Sequence, residues 1–172
     1  MLNIPEYKEY GGETKIALMD NSSLAFMHEL SQRSYPSDRI LGVYDLILIP
    51  KWVMEEIEDS TYRSTYVEQL QAQGYPIRWI DETKYGTFVN DEDVNLYYIV
   101  EAAVSRVSEL MRFLRRKVKT EDLIDLPSAE EWMNRLYDEW PIHGRTLSTG
   151  RVLKKNAGEI SLTILAEVFA WY

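Results

Sequence analysis

The chain has 172 residues, a formal net charge of −9, a 45% hydrophobic content and no cysteine. This length can bury the core of one domain with an insertion, and the 12% aromatic share excludes a disordered, charge-dominated chain. The absence of cysteine excludes disulfides, thiolate metal sites and a catalytic thiol. No apolar stretch is long enough for a membrane span, and the polar first ten residues lack a signal core, so we expect a cytoplasmic protein.

The first half of the sequence alternates short apolar runs with segments of helical composition. Residues 1–14 are predicted to form a lead-in. The apolar runs, which are typical of buried parallel strands, lie at residues 15–20, 46–49 and 77–81. Helices are predicted after them at residues 24–33, 51–58 and 61–73. This order predicts an α/β fold with a short parallel sheet.

The second half is dominated by helical patterns. Apolar residues recur at steps of three and four from Tyr97 to Val118, which predicts one amphipathic helix of at least six turns. Further helices are predicted at 129–140 and at 159–172, the latter buried because it is apolar on most faces. Residues 144–151 resemble a phosphate loop only superficially, because an arginine replaces the lysine that such a loop requires, and we interpret them as a connecting loop.

Three acidic residues stand where an α/β sheet concentrates function. Asp20 ends the first apolar run, Glu56 lies in the helix after the second, and Glu159 opens the last helix. Ligands of open α/β sheets gather beyond the carboxyl ends of the strands, where these acids would converge if the strands are neighbours. Carboxylate oxygens are the ligands that Mg²⁺ or Mn²⁺ prefers.

Each acidic residue also has a structural interpretation. Asp20 can cap the helix that follows it, Glu56 belongs to an acidic run that can face solvent, and Glu159 can complement the positive end of its helix dipole. The one dense basic run has the same ambiguity, since it suits either a nucleic-acid contact or a solvated helix end. Its candidate RNA-binding residues are Arg112, Arg115 and Arg116.

Taken together, residues 16–24, 47–57 and 158–166 resemble the three motifs of the PIN-domain nucleases. This family includes the toxin halves of many bacterial toxin–antitoxin pairs. The resemblance implies a three-layer PIN-like fold with helices on both faces of the sheet, as a single domain over residues 1–172. Residues 82–151 are longer than the usual middle of the family and are expected to form a helical insertion or an extended helical middle.

The resemblance also implies an activity. Asp20, Glu56 and Glu159 would be the catalytic residues and would hold Mg²⁺ or Mn²⁺, with Ser22 supporting the site by a hydrogen bond. The expected reaction is metal-dependent cleavage of RNA, by a toxin or by a mobile-element protein. The family usually continues into another strand with a further acid, so at Tyr172 either that acid is absent or the chain is truncated.

A non-catalytic PIN-like interaction module is the alternative expectation. An antitoxin-like protein partner would then dock on the long helix predicted from Tyr97 to Val118, and a homodimer is left open. The two expectations differ in metal dependence, because only the nuclease needs a divalent ion.

Overall fold

The computed structural model describes residues 2–88, 93–117 and 127–170. The chain divides into two compact units, Met1–Ile80 and Asp81–Tyr172, which we call the first and the second unit. The described residues form a three-stranded parallel sheet, a two-stranded antiparallel pair, eight α-helices and one 3₁₀ helix. The predicted α/β class is therefore confirmed, while the single domain over residues 1–172 stays a prediction.

The first unit is built on the parallel sheet. Its strands are β1 (Ile16–Leu18), β2 (Leu46–Pro50) and β3 (Ile77–Ile80), in the spatial order β1-β2-β3. The register pairs Leu18 with Leu48, and Ile49 with Trp79. All five residues of β2 are buried, whereas β1 is half-buried, as expected for a central strand beside its neighbour.

Helices connect these strands. They are α1 (Asn21–Gln32), α2 (Asp38–Leu41), α3 (Lys51–Glu58) and α4 (Thr61–Ala72). Helix α1 packs against both α3 and α4, because apolar side chains spaced three or four residues apart give each helix one buried stripe. The buried side chains of this layer include Leu24, Met27, Val53, Ile57, Val67 and Leu70.

The predicted lead-in at residues 1–14 is part of the sheet region. The Tyr7 amide donates to the Trp79 carbonyl at 2.7 Å, and the Trp79 amide donates to the Pro5 carbonyl at 3.0 Å. Leu2, Ile4 and Tyr7 are buried. This segment pairs with β3 and so satisfies backbone groups that an unpaired strand edge leaves to solvent.

The second unit is mainly helical. Its elements are a 3₁₀ helix (Glu82–Phe88), α5 (Asp93–Val104), α6 (Ser108–Lys117), α7 (Ala129–Asp138), β4 (His143–Thr146), β5 (Val152–Lys154) and α8 (Ala157–Ala170). The 3₁₀ helix packs against α5, α7 and α8, and α5 packs against α8. Among the described residues, no helix combines the length and the apolar character that crossing a membrane requires.

The prediction of one continuous helix from Tyr97 to Val118 is wrong. Helix α5 ends at Val104 and α6 begins at Ser108. The Ser105 hydroxyl donates to the Ala102 carbonyl at 2.7 Å, and such side-chain bonds compete with helical backbone bonds. Burial nevertheless follows the predicted stripe at Tyr97, Val100, Val104 and Leu114. Val118 lies outside the described residues.

Residues 144–151 are not only a loop, because part of them belongs to a hairpin that the sequence analysis missed. Strand β4 pairs with β5 in antiparallel fashion, and the Leu147 amide donates to the Arg151 carbonyl at 2.7 Å. Gly150 adopts φ 83° in this turn, a conformation that favours glycine. The segment leads into a strand rather than into a helix, which agrees with rejecting a phosphate loop.

Candidate functional site

Asp20 lies at the carboxyl end of β1. The chain remains extended there, and the Met19 amide still donates to the Leu48 carbonyl of β2 at 2.9 Å. The Asp20 side chain caps α1, because its Oδ1 accepts a 2.6 Å hydrogen bond from the Ser23 amide. This is the structural interpretation that the sequence allowed, and it fixes the carboxylate at the end of the strand.

Glu56 reaches the same region from the neighbouring strand. Pro50 closes β2 and directly precedes α3, so the helix begins without a break. Glu56 lies in the second turn of α3 and its side chain is half-buried. It differs in this from Trp52, Val53 and Ile57, which pack into the core from the same helix.

Asn21 joins the two positions. It directly follows Asp20, and its Nδ2 donates to Oε2 of Glu56 at 3.2 Å. Its Oδ1 accepts a 2.9 Å hydrogen bond from Nη1 of Arg63 in α4. The amide is therefore held from both sides, by a carboxylate and by a guanidinium, which fixes its orientation. Asp20, Asn21, Glu56 and Arg63 form what we call the strand-end cluster.

The strand-end cluster presents oxygen ligands in a polar, half-buried setting. Asp20 and Glu56 supply carboxylates, each of which can accept more hydrogen bonds or bind a hard cation. The Arg63 side chain brings positive charge to the edge of the same cluster. The arrangement can therefore hold a divalent ion, or orient a ligand that carries a phosphate.

Ser22 is the second residue of α1 and is exposed to solvent. It follows Asn21 directly, so it lies in the same first turn as the capped amide of Ser23. An exposed hydroxyl at this position is available to a ligand at the helix start.

Glu159 belongs to the second unit. It is the third residue of α8 and its side chain is exposed, while Ile160 and Ser161 beside it are buried. Its carbonyl accepts a 2.9 Å hydrogen bond from the Thr163 hydroxyl. Its place in the first turn suits the positive end of the helix dipole.

The basic run on α6 is exposed and partly paired within the second unit. Arg112, Arg115 and Arg116 are all exposed. Arg115 Nε lies 3.2 Å from a carboxylate oxygen of Glu101, and Lys117 pairs with Glu139. These ion pairs and the position at the end of the helix agree with a solvated helix end.

Polar residues that the sequence analysis did not identify form a buried network in the second unit. Glu82 and Ser161 are both fully buried, and the Ser161 hydroxyl donates to Oε1 of Glu82 at 2.7 Å. The Tyr85 hydroxyl lies 2.9 Å from the Ser161 hydroxyl. Burial, and then the Glu82 carboxylate, raise the pKa of Tyr85 well above its ordinary value.

The sequence analysis also missed Arg63 as a member of the strand-end cluster. Its local signal is the Ser60 cap, which starts α4 and so sets which face of the helix each residue occupies.

Across residues 2–88, 93–117 and 127–170, no group of three or more acidic or histidine side chains is arranged to hold a metal ion. Comparisons with protein-family models, with curated proteins and with solved structures found no match.

Proposed function

We propose that the protein is a metal-dependent ribonuclease of the PIN type, with Asp20 and Glu56 as its catalytic carboxylates. The observation that supports this most directly is the 3.2 Å hydrogen bond between Asn21 and Glu56. It brings the first residue of α1 into contact with a carboxylate of α3, the helix after β2, although 35 residues separate them in sequence. The proposal is also supported by the sheet, because Asp20 and helix α3 follow the carboxyl ends of the neighbouring parallel strands β1 and β2, and ligands of α/β sheets bind beyond such ends.

The donor set fits a Mg²⁺ or Mn²⁺ ion. Such ions are commonly bound by one or two carboxylates together with water and substrate phosphate, and the strand-end cluster offers two carboxylates without histidine or cysteine. When bound, the ion supplies an activated water and neutralises charge on the phosphodiester. The role of Glu159, which belongs to the second unit, stays a prediction from the resemblance to the family.

The residues of this chain have separate roles in the proposal. Asp20 and Glu56 bind the ion, and the Asp20 cap keeps its carboxylate in place at the helix start. Asn21 orients Glu56, because its amide is held between that carboxylate and Arg63. Ser22 donates a hydrogen bond to the substrate phosphate, which the exposed first turn of α1 also favours.

The test compares Glu56→Gln with Glu55→Gln in the full chain. Both residues are half-buried neighbours on α3, but the family motif assigns only Glu56 to the site. We expect Glu56→Gln and Asp20→Asn to reduce Mn²⁺-dependent cleavage of single-stranded RNA by about 100-fold, since charge neutralisation and positioning carry phosphoryl transfer. Glu55→Gln should retain activity. Mn²⁺ binding is measured in parallel by calorimetry.

Equal activity of the Glu55 and Glu56 variants would contradict the proposal. So would RNA cleavage that is unaffected by chelation of divalent ions. A mere capping role for Asp20 predicts that Asp20→Asn changes neither Mn²⁺ binding nor cleavage, because asparagine caps helices as well as aspartate does.

The second candidate function is a non-catalytic module that binds a protein partner. A groove of about 590 Å³ between α5 and α8 favours it, and Tyr98 on its wall is 52% exposed. Ile99, Ala102 and Ala103 give this wall an apolar character, with Arg106 and Glu167 at its polar positions. This candidate predicts that the protein binds its partner without divalent ions and that Tyr98→Ala weakens the complex.

A further inference from the structure

A second groove lies in the first unit, between α1 and α4. It has a volume of about 310 Å³. Its walls carry aromatic, amide and hydroxyl groups, and among the described residues that line it none is acidic, a lysine or an arginine. They include His28, Gln32, Tyr62, Thr65, Tyr66 and Gln69.

The aromatic rings of the groove form a cluster that runs from a buried ring to an exposed one. The Tyr66 ring is buried, and its hydroxyl lies 3.2 Å from the Ser37 hydroxyl, so this ring is fixed. The His28 ring lies 5.0 Å from the Tyr66 ring and 6.3 Å from the Tyr62 ring, centroid to centroid. Tyr62 is 77% exposed. One aromatic wall is therefore rigid, and a further ring is presented to solvent, where a planar ligand can stack on it.

The polar groups around these rings both donate and accept hydrogen bonds. The Gln32 amide nitrogen lies 3.2 Å from Nε2 of His28, and Thr65 and Gln69 line the opposite wall. Amides and hydroxyls match an uncharged ring with donors and acceptors on its edge, which is the character of a nucleobase. No lysine or arginine stands among the lining residues that the structure describes, which argues against a phosphate as the group held inside this groove.

The groove and the strand-end cluster share the same two helices. His28 follows Asn21 by seven residues, so it lies two turns further along the same face of α1, at about 10 Å by the helical rise. On α4, Tyr62 directly precedes Arg63, which bonds Asn21. A distance of about 10 Å corresponds to about three phosphates of a stacked nucleic-acid strand, at about 3.4 Å each.

We propose that the groove between α1 and α4 binds a base of single-stranded RNA, stacked on Tyr62. The proposal rests on the proposed ribonuclease function for the path of the strand, whose backbone continues from this base to Asp20 and Glu56. Base stacking on aromatic side chains is tolerant of sequence, so the groove contributes affinity and register more than base identity.

The test measures binding and not cleavage. The full chain in metal-free buffer is titrated with a fluorescent single-stranded RNA pentamer, and separately with a pentamer of the same backbone whose sites are abasic. We expect Tyr62→Ala to weaken binding of the RNA by about 10-fold and to leave binding of the abasic strand unchanged. Tyr62→Trp should restore the affinity. Phe26→Ala, an exposed aromatic residue on α1 that is not among the described residues lining the groove, is the matched control and should bind like the unmodified protein.

Equal losses for the RNA and the abasic strand in Tyr62→Ala would overturn the proposal, as would full retention of RNA affinity. Circular dichroism checks that Tyr62→Ala folds. We expect it to fold, because the Tyr62 side chain is exposed. Failure of the ribonuclease proposal is distinguishable, because it appears as unchanged cleavage and Mn²⁺ binding in Asp20→Asn and Glu56→Gln. The effect of Tyr62→Ala on RNA binding requires neither cleavage nor a bound Mn²⁺ ion.

Discussion

The two units use polar side chains in opposite ways. In the first unit, Asp20, Asn21 and Glu56 are half-buried at the ends of strands, and a hydrogen bond joins Asn21 to Glu56. In the second unit, Glu82 and Ser161 are fully buried and bonded to each other, with Tyr85 completing the network. Both arrangements contain carboxylates, but only the first leaves them partly open to solvent.

This difference separates a candidate for binding from a candidate for structure. A buried hydrogen-bond network favours the one packing arrangement in which its groups bond each other, because a buried polar group without a hydrogen-bond partner raises the free energy of any other arrangement. When a half-exposed carboxylate at a strand end exchanges water for a ligand, the free energy of folding changes little. The predictions therefore assign activity to the polar residues of the first unit and stability to those of the second.

The largest expected effect is on stability, from Ser161→Ala. Loss of this hydroxyl removes one hydrogen bond from Tyr85 and one from the Glu82 carboxylate. A neutral hydrogen bond contributes about 0.5–1.5 kcal/mol and one to a charged group about 1.5–3 kcal/mol, so we expect a loss of about 2–4.5 kcal/mol. Asp20→Asn should change stability by less than about 0.5 kcal/mol, because asparagine caps equally well. Urea unfolding followed by circular dichroism measures both.

Thr163→Ala is the matched control for Ser161→Ala. It removes a hydroxyl from the same helix, two residues away, but this residue is exposed and its hydroxyl donates to the Glu159 carbonyl of its own helix. Its effect should stay below about 0.5 kcal/mol, as for other surface substitutions. If Ser161→Ala and Thr163→Ala are equally mild, the buried network does not stabilise the second unit and the contrast between the units fails.

The next effect is on alkaline stability. Because Tyr85 has a raised pKa, the folded state keeps its proton above pH 10 while the unfolded state releases it, so stability falls as pH rises. Tyr85→Phe should reduce this slope by up to about 1.4 kcal/mol per pH unit above pH 10. Tyr75 serves as the comparison in the first unit, where burial and then a hydrogen bond to Asp38 raise its pKa to about 12.

Tyr75→Phe should reduce the slope by a similar amount between pH 10 and about 12, and by less above it, because the folded state then also releases the Tyr75 proton. Unfolding free energies at several pH values between about 9 and about 13 give both slopes. A larger change in this slope for Tyr75→Phe than for Tyr85→Phe would contradict the conclusion that the Tyr85 hydroxyl of the second unit is the more deeply buried of the two.

A smaller effect is expected at Arg63, which orients Asn21. Arg63→Met keeps the length of the side chain but removes the donor to Oδ1 of Asn21, at a cost of about 1 kcal/mol in stability. Because Asn21 also contacts Glu56, Mn²⁺ affinity should fall by about 10-fold, as is typical when a residue behind a metal ligand is lost. Calorimetric titration with Mn²⁺ checks this. Arg39→Met, on α2, is the control and should leave Mn²⁺ affinity unchanged.

The parallel sheet could be predicted because its strands are short apolar runs, of which the central one is fully buried and ends at a proline. The run 46–49 is apolar throughout and ends at Pro50, and the observed β2 is buried in all its residues. The hairpin of β4 and β5 escaped prediction because its strands are short and largely exposed, so no apolar pattern marks them. The break between α5 and α6 was missed because the apolar stripe runs across it unchanged, and only Ser105 marks the end of the helix.

The candidate site was predicted only in part, for a related reason. Asp20 and Glu56 stand out because each follows an apolar strand, a local signal. The bond from Arg63 to Asn21 spans 42 residues, and the one from Ser161 to Glu82 spans 79, so neither leaves a trace in local pattern. Such contacts depend on how helices pack, which periodicity alone does not specify.

The smallest expected effect concerns Asp45, at the opposite end of the sheet from the strand-end cluster. Its Oδ2 accepts hydrogen bonds from the Thr14 amide, the Thr14 hydroxyl and the Lys15 amide, at 3.1, 3.0 and 3.0 Å. These bonds, led by the one from the Thr14 amide, lower the pKa of Asp45 below its ordinary 3.8. The carboxylate therefore adds stability above pH 3.8, and this contribution is lost as pH falls through the lowered pKa.

Asp45→Asn should accordingly lower the melting temperature slightly at pH 7, and the difference from the unmodified protein should shrink as the pH falls below 3.8. The effect is small because the side chain is exposed. An equal difference at pH 7 and at pH 3 would mean that the amide fails to replace the acceptor geometry, and that the charge of Asp45 contributes nothing. In that case the charge of a carboxylate would not stabilise this end of the sheet. The proposal that the charges of Asp20 and Glu56 bind a cation would then depend on the measured Mn²⁺ binding of their variants.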